Sequence, residues 1–350
     1  MLFQQIILHM VNRLNGERTI SAPFHLLRGK RSGQTIQDVK SYGFTRYFSL
    51  TPKLSKKTYD HTIQMMIQSG LIIVDGNSVP HITKPGIETL QRLPELKLNG
   101  WLYRGNERIF FQRLSLVTQT LSQIIAGNMA FDPVQKDEKV QNWVRNYLKK
   151  WPFRSEEFIR NYYYELKTAF QTSDLSHLHL SILSHRLSGF EVSGVTWQQL
   201  SHALKEDEMD LQIRFCECLH ILLDEIYLNP RLTLLNSLSE GIKTSTPLTD
   251  SAKKTADLYE QGYTFEQIMS SRQLKSSTIE DHFVEMAMND PSFSIQLFFP
   301  DENTYRLIEQ IRNQQTKKLR TLKEAYPLYS YFQLRLLLAV GGDSHEDGSI

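Results

Sequence analysis

What the chain lacks narrows the field before any motif is read. Two cysteines in 350 residues, spaced as Cys216-Glu217-Cys218, are too few and too close to staple a chain of this size, so the sequence predicts a reducing, cytoplasmic compartment. No run approaches the ~18 apolar residues of a membrane helix. The opening MLFQQIILHMVNRL has neither a basic lead nor a small-residue cleavage site, and so does not read as a signal peptide. There is no G-x-x-x-x-G-K-[ST] phosphate loop, HExxH, GxSxG or GxGxxG; Gly29-Lys30-Arg31-Ser32-Gly33 has glycines but neither the order nor the spacing. The expectation is a soluble chain, not embedded in a membrane, with no catalytic activity, cofactor or metal of its own. Apolar residues at 40% and charged residues at 22% exclude wholesale disorder and allow a substantial core. The length suggests two or three domains.

Negative charge is scarce in one stretch. Residues 28–57 hold Arg28, Lys30, Arg31, Lys40, Arg46, Lys53, Lys56 and Lys57 against Asp38 alone, a local charge of +7 in a chain whose total is +2. The remaining 320 residues therefore sum to −5. A basic block inside an otherwise acidic chain points to a polyanionic partner, and nucleic acid is the natural one. A second basic run, Arg312 to Lys323, carries five positive charges and no acid. Such runs are commonly solvated faces.

The expected fold is mainly α, with three ordered parts. Residues 1–98 read as a winged-helix domain. An apolar series from Ile6 to Leu14 stops at Asn15-Gly16, short helices cover Ala22–Leu27 and the residues after Gly33, and a helix from Ser55 to Ser69 has Tyr59, Ile63, Met66 and Ile67 on one face. LIIV and VPHIT around Asp75-Gly76-Asn77-Ser78 then make a small hairpin. Residues 99–242 read as a central helical bundle, and IKTSTPLT, 242–249, as a linker. Residues 249–341 read as a helix-turn-helix domain. Thr264 and Gln267 form a capping box, a turn follows at Arg272-Gln273-Leu274, and Ser277 with Glu280 suggests a second box opening the next helix. Further helices are expected over Thr304–Lys323 and Leu328–Val340, and 342–350 as a disordered acidic tail.

Several clusters invite chemistry and read more simply otherwise. Cys216 and Cys218 fall about 200° apart around a helix, which favours plain buried thiols over metal ligands. His177, His179 and His185 beside Asp174 read as surface and capping histidines, and Tyr162-Tyr163-Tyr164 as a run split between core and rim. Two constellations remain as DNA contacts. Lys30 and Arg31 in a glycine-flanked loop, with Lys53, Lys56 and Lys57 at the amino end of the Ser55 helix, are placed to hold backbone phosphates. Ser277, Thr278 and His282 at the start of the second helix of the helix-turn-helix form a weaker second contact, offset by the neighbouring acids Glu280 and Asp281.

The stretch from ILHMVNRL to ITKPGIETL, with its basic GKRSG loop, YGF turn and helix ending in QSGLII, resembles the winged-helix RecQ-C-terminal domain of RecQ helicases. The later segments GYTFEQI, SRQLKSSTIEDHF and SYFQLRLLLA resemble the helix-turn-helix module near the carboxyl end of some RecQ-type helicases. The whole arrangement is similar to the YpbB family, free-standing chains whose gene commonly neighbours a short RecQ-like helicase. The resemblance implies the non-catalytic half of such an enzyme: a DNA-binding accessory protein acting with a RecQ-like helicase in trans, in repair or recombination, cytoplasmic or nucleoid-associated. It also implies that the wing could separate strands with an aromatic at its tip, but Asp75-Gly76-Asn77-Ser78 has none. The alternatives are a protein-interaction scaffold that docks a helicase without touching DNA and, less favoured, a transcription regulator.

Overall fold

Ile6, Ile7, Met10, Val11 and Leu14 recur at helical spacing, and in the computed structural model all five are buried along α1 (Leu2–Leu14). The helix ends where Asn15 and Gly16 turn to φ of +45° and +72°. The structure describes residues 1–244, 248–290, 292–299, 304–314 and 316–341; the expected tail at 342–350 and Pro247 of the expected linker lie outside them. Next come α2 (Ser21–Leu27), α3 (Gly33–Ser41) and α4 (Lys56–Gln68), then β1 (Ile72–Val74), β2 (Pro80–Ile82) and α5 (Lys84–Leu90). Ser55 caps α4, its hydroxyl accepting the Thr58 N–H at 3.0 Å. Tyr59, Ile63 and Met66 form the buried face of α4, but Ile67 is 42% exposed, because one residue past Met66 lies about 100° around the helix. The hairpin pairs Ile72 with Ile82 and Val74 with Pro80. Helices followed by a small antiparallel hairpin give this part the order of a winged helix.

Helices α6 (Gly100–Tyr103), α7 (Glu107–Ile125), α8 (Glu138–Lys149), α9 (Glu156–Thr172), α10 (His177–Arg186), α11 (Trp197–Leu204), α12 (Glu208–Leu228) and α13 (Thr233–Leu238) make the middle of the chain. Apolar side chains of three of these helices meet in one core: Leu114 and Val117 from α7, Val144 and Tyr147 from α8, Leu219 and Leu222 from α12. Glu165, buried on α9, accepts the Leu234 and Leu235 N–H groups at 2.9 and 3.0 Å, so a carboxylate caps α13 from another helix. Tyr162 is fully buried with its hydroxyl 2.9 Å from that of Thr118, while Tyr164 is 69% exposed; the tyrosine run does divide between core and rim.

The last helices are α14 (Asp250–Glu260), α15 (Phe265–Arg272), α16 (Ser276–Asn289), α17 (Thr304–Arg312), α18 (Leu319–Ala325) and α19 (Tyr331–Gly341). The Thr264–Gln267 capping box forms, and Gln273 makes the turn with φ +51°. The Ser277–Glu280 box does not, because the cap of α16 is Lys275, two residues earlier; Ser276 instead donates its hydroxyl to Glu280 at 3.1 Å. The single helix expected over Thr304–Lys323 is two, since the Lys317 N–H between them is taken by the Glu17 carboxylate at 3.0 Å. No helix among the described residues is long and apolar enough to cross a membrane.

The chain resolves into two compact units, one of residues 1–5 and 93–245, the other of residues 6–92 and 246–350. The second therefore contains both the winged-helix segment and the helix-turn-helix. Within it α3 packs against α16 and α19. Arg335 of α19 joins them, pairing with Asp281 of α16 at 2.6 Å and donating to Gln37 of α3 at 3.1 Å. Gly33 opens α3 so close to α16 that a Cβ there would lie 2.5 Å from Asp281 Oδ1. Gly33→Ala is therefore expected to lower stability by about 1–2 kcal/mol. Asp281→Ala in the same chain should recover most of that loss. Urea titrations of the four chains of this double-mutant cycle test the contact, and strict additivity would refute it.

Candidate nucleic-acid interface

Helix α4 starts with two lysines and no acid in its first turn. Cations at a helix amino end oppose the macrodipole, so this arrangement is locally unfavourable unless an anion joins it. The helix is anchored from behind: Tyr59 donates its hydroxyl to the Ile20 carbonyl at 2.6 Å and packs on Phe24 with ring centroids 5.2 Å apart. Lys57 is exposed, as is Lys53 just before the helix. Lys56 pairs with Asp60 one turn on and lies 5.6 Å from the centres of both the Phe24 and Tyr59 rings, so it is the less available of the three.

The loop after α2 turns at Gly29, φ +72°, and leaves Lys30 and Arg31 exposed before Ser32 leads into α3. Loop and helix end are parts of one surface. Burial pushes the His25 imidazole below its ordinary pKa, and the charges of Lys30, Lys56 and Arg28 push it further the same way. Three cations from two segments therefore act on one ring. Below the loop a small cleft of about 220 Å³ is lined in part by His25, Lys30 and Ser32. Arg28, whose guanidinium sits 5.4 Å from the Phe24 ring, and His25 belong to this surface although neither was singled out from sequence. The charge run contained Arg28; nothing in the pattern marked His25.

The second constellation is only partly at the surface. Ser277 is exposed and Thr278 half-buried, but His282 is 6% exposed and cannot meet a phosphate. Its Nδ1 lies 2.8 Å from the Thr255 hydroxyl and 3.4 Å from Nη1 of Arg272, which also holds the Ser251 carbonyl at 2.6 Å. Burial and the Arg272 charge lower its pKa to about 4. The histidine is thus a tie between α14 and α16. The acids beside it are less repulsive than their sequence implies, because Asp281 is paired with Arg335. Since Gly33 abuts Asp281, the end of the basic loop adjoins the start of α16.

At the hairpin tip Asp75 accepts the Asn77 and Val79 N–H groups at 2.8 and 2.9 Å, bonds that hold its carboxyl below the usual range. The tip is a self-satisfied anionic turn with no ring to insert between base pairs. Two cations of the second basic run are engaged within the fold: Lys317 contacts Ser41, and Lys323 donates to the carbonyls of Pro327 and Tyr329 at 2.8 and 2.7 Å.

In the other unit the clustered histidines disperse. His179 completes the cap of α10 and lies 3.1 Å from Glu217, while Asp174 pairs with Lys97. Both cysteines are buried, and burial raises both thiols, Cys218 to about 12. One grouping escaped the sequence reading: Glu107, Cys216 and His220 place potential ligand atoms within 4.8 Å of one another. Its hydrogen bonding argues against a cation. His220 Nδ1 accepts the Asn99 N–H at 3.0 Å, which puts the ring hydrogen on Nε2, the atom facing Glu107 at 3.7 Å and Cys216 at 3.6 Å. Nε2 then offers no lone pair, and the trio is a buried polar contact.

Residues 251–338, which span α14 through most of α19, match a helix-turn-helix domain family. The chain is 29% identical over 345 residues to protein YpbB of Bacillus subtilis (strain 168), an alignment that covers 96% of each. No solved structure matches it. The helix-turn-helix domain and the likeness to YpbB point to a DNA-binding protein. The chain is thus similar to YpbB along nearly its whole length and carries a helix-turn-helix domain at residues 251–338.

Proposed function

We propose that this protein is a non-catalytic accessory factor that grips the DNA backbone through the basic surface of its second unit. Lys30, Arg31, Lys53, Lys56 and Lys57 contact phosphates, and Ser277 and Thr278 add a smaller contribution from the adjoining start of α16. The observation that carries this reading is that Arg28 and Lys56, from two separate basic segments, lie 5.4 and 5.6 Å from the centre of the same Phe24 ring, which makes one patch of the two. A RecQ-like helicase acting in trans, in repair or recombination, supplies the motor. Support for that partner is the resemblance of both terminal segments to the non-catalytic parts of such enzymes, and the lack of any phosphate loop in the sequence. The anionic, ring-free hairpin tip favours holding DNA over splitting it. In this role the protein works in the cytoplasm, at the nucleoid.

The test is a fluorescence-anisotropy titration of the whole chain against duplex, forked and single-stranded DNA at two salt concentrations. The expected result is binding whose logarithm falls with log salt by roughly 0.7–0.9 per phosphate contact, with forks preferred. Absence of binding at low salt would retire the proposal in favour of a protein-docking scaffold.

A further inference from the structure

The same unit carries a surface of opposite character. Where the α14–α15 junction, α16, the turn at Gln296–Phe298 and α19 meet, a groove of about 650 Å³ opens, within the range of ligand-binding clefts. Its walls are aromatic, from Tyr263, Phe265, Phe298 and Phe332 among others. The rings are locked against one another, Phe298 meeting Phe332 edge-on at 5.2 Å and Phe283 at 5.3 Å, so the groove is preformed. Leu297 stands at its lip 75% exposed, and Tyr263 is 41% exposed. Among the described residues the charged side chains lining it are Glu266 and Glu280, with no lysine or arginine.

Aromatic faces flanked by carboxylates attract cations, and carboxylates repel phosphates, so this is not a continuation of the DNA surface. Successive residues of α16 divide the two: Glu280 lines the groove, whereas Asp281 is held by Arg335 and abuts Gly33 at the end of the basic loop. We infer that the groove docks a basic amphipathic helix of a partner protein. The partner's apolar side chains enter between the rings beside Leu297, and its Lys or Arg side chains pair with Glu266 and Glu280. The helix-turn-helix then serves as a protein-docking element while the basic surface holds DNA.

The probe is a fluorescein-labelled amphipathic Leu/Lys helix of about four turns, titrated into the full chain by anisotropy, with the matching Leu/Glu peptide as control. The expected result is saturable binding of the Leu/Lys peptide alone, weakened about tenfold by Glu266→Lys and severalfold by Leu297→Ala. Both positions are exposed, and unchanged circular dichroism verifies the fold of each variant. DNA affinity, read separately, should survive both substitutions, so failure of this inference is distinguishable from failure of the DNA reading. Equal binding of the Leu/Glu peptide, indifference to both substitutions, displacement of the peptide by an oligo-dT strand, or no binding below about 1 mM would each overturn it.

Discussion

A chain with Lys30, Arg31, Lys53 and Lys57 all replaced by Glu is expected to lose duplex affinity by at least about 100-fold near 0.1 M salt, and to show a salt slope shallower by roughly three units. Each substitution removes a counterion-releasing contact and adds a repulsion. All four side chains are exposed, so the fold should tolerate the change within about 0.5 kcal/mol. The single variants should not be equal. Lys57→Glu should weaken binding more than Lys56→Glu, because Lys56 must first leave Asp60 and the two rings it lies beside. Anisotropy titrations of the single, paired Lys56/Lys57 and fourfold variants decide the matter. Undiminished affinity in the fourfold variant would end the assignment of this surface.

The stability of the second unit is expected to fall by roughly 2–3 kcal/mol as pH drops from 6.5 to 4, on account of His282. In the folded chain the imidazole stays neutral down to about 4, against an ordinary 6.5. The unfolded chain takes up the proton as pH falls through about 6.5, so the unfolded state binds more protons in that window. The stabilisation is full above 6.5 and is lost on acidification. His282→Asn keeps an acceptor for the Thr255 and Arg272 donors without the titration. It should remove that part of the pH dependence, measured as the difference between wild type and variant in urea. Circular dichroism is the signal to follow, since all four tryptophans lie in the other unit. Identical pH profiles for the two chains would show that His282 does not titrate across this range.

Much of the local structure was legible because it is encoded within a few residues. The stop at Asn15-Gly16 and the Ser55 and Thr264 caps each follow from a side chain meeting a backbone group three positions away, or from residues that tolerate positive φ. The small errors are of the same local kind. Ile67 lies one step off a narrow stripe, and α16 starts one residue before its expected cap.

The candidate site divides along the same line. A charge run is a property of sequence, so the exposed lysines were found from it, but whether two basic segments share a surface depends on how α2 and α4 pack. His282 was grouped with Ser277 and Thr278 because all three lie near the start of the second helix of the helix-turn-helix; Thr255 and Arg272, brought in by α14 and α15, cover the histidine. Helical spacing tells which residues share a face and says nothing of what that face meets.

By itself the sequence determined a mainly α chain with a wing-like hairpin, a helix-turn-helix near its carboxyl end and a concentrated basic stretch, because periodicity, caps and charge are short-range. Only the tertiary structure decided that segments more than 150 residues apart belong to one unit, through Gly33 against Asp281, Arg335 bridging α16 to α3, and Glu17 holding Lys317. None of those contacts is written in a local pattern. Each depends on a close backbone approach or a half-buried charge pair, and these exist only once α3, α16 and α19 have packed.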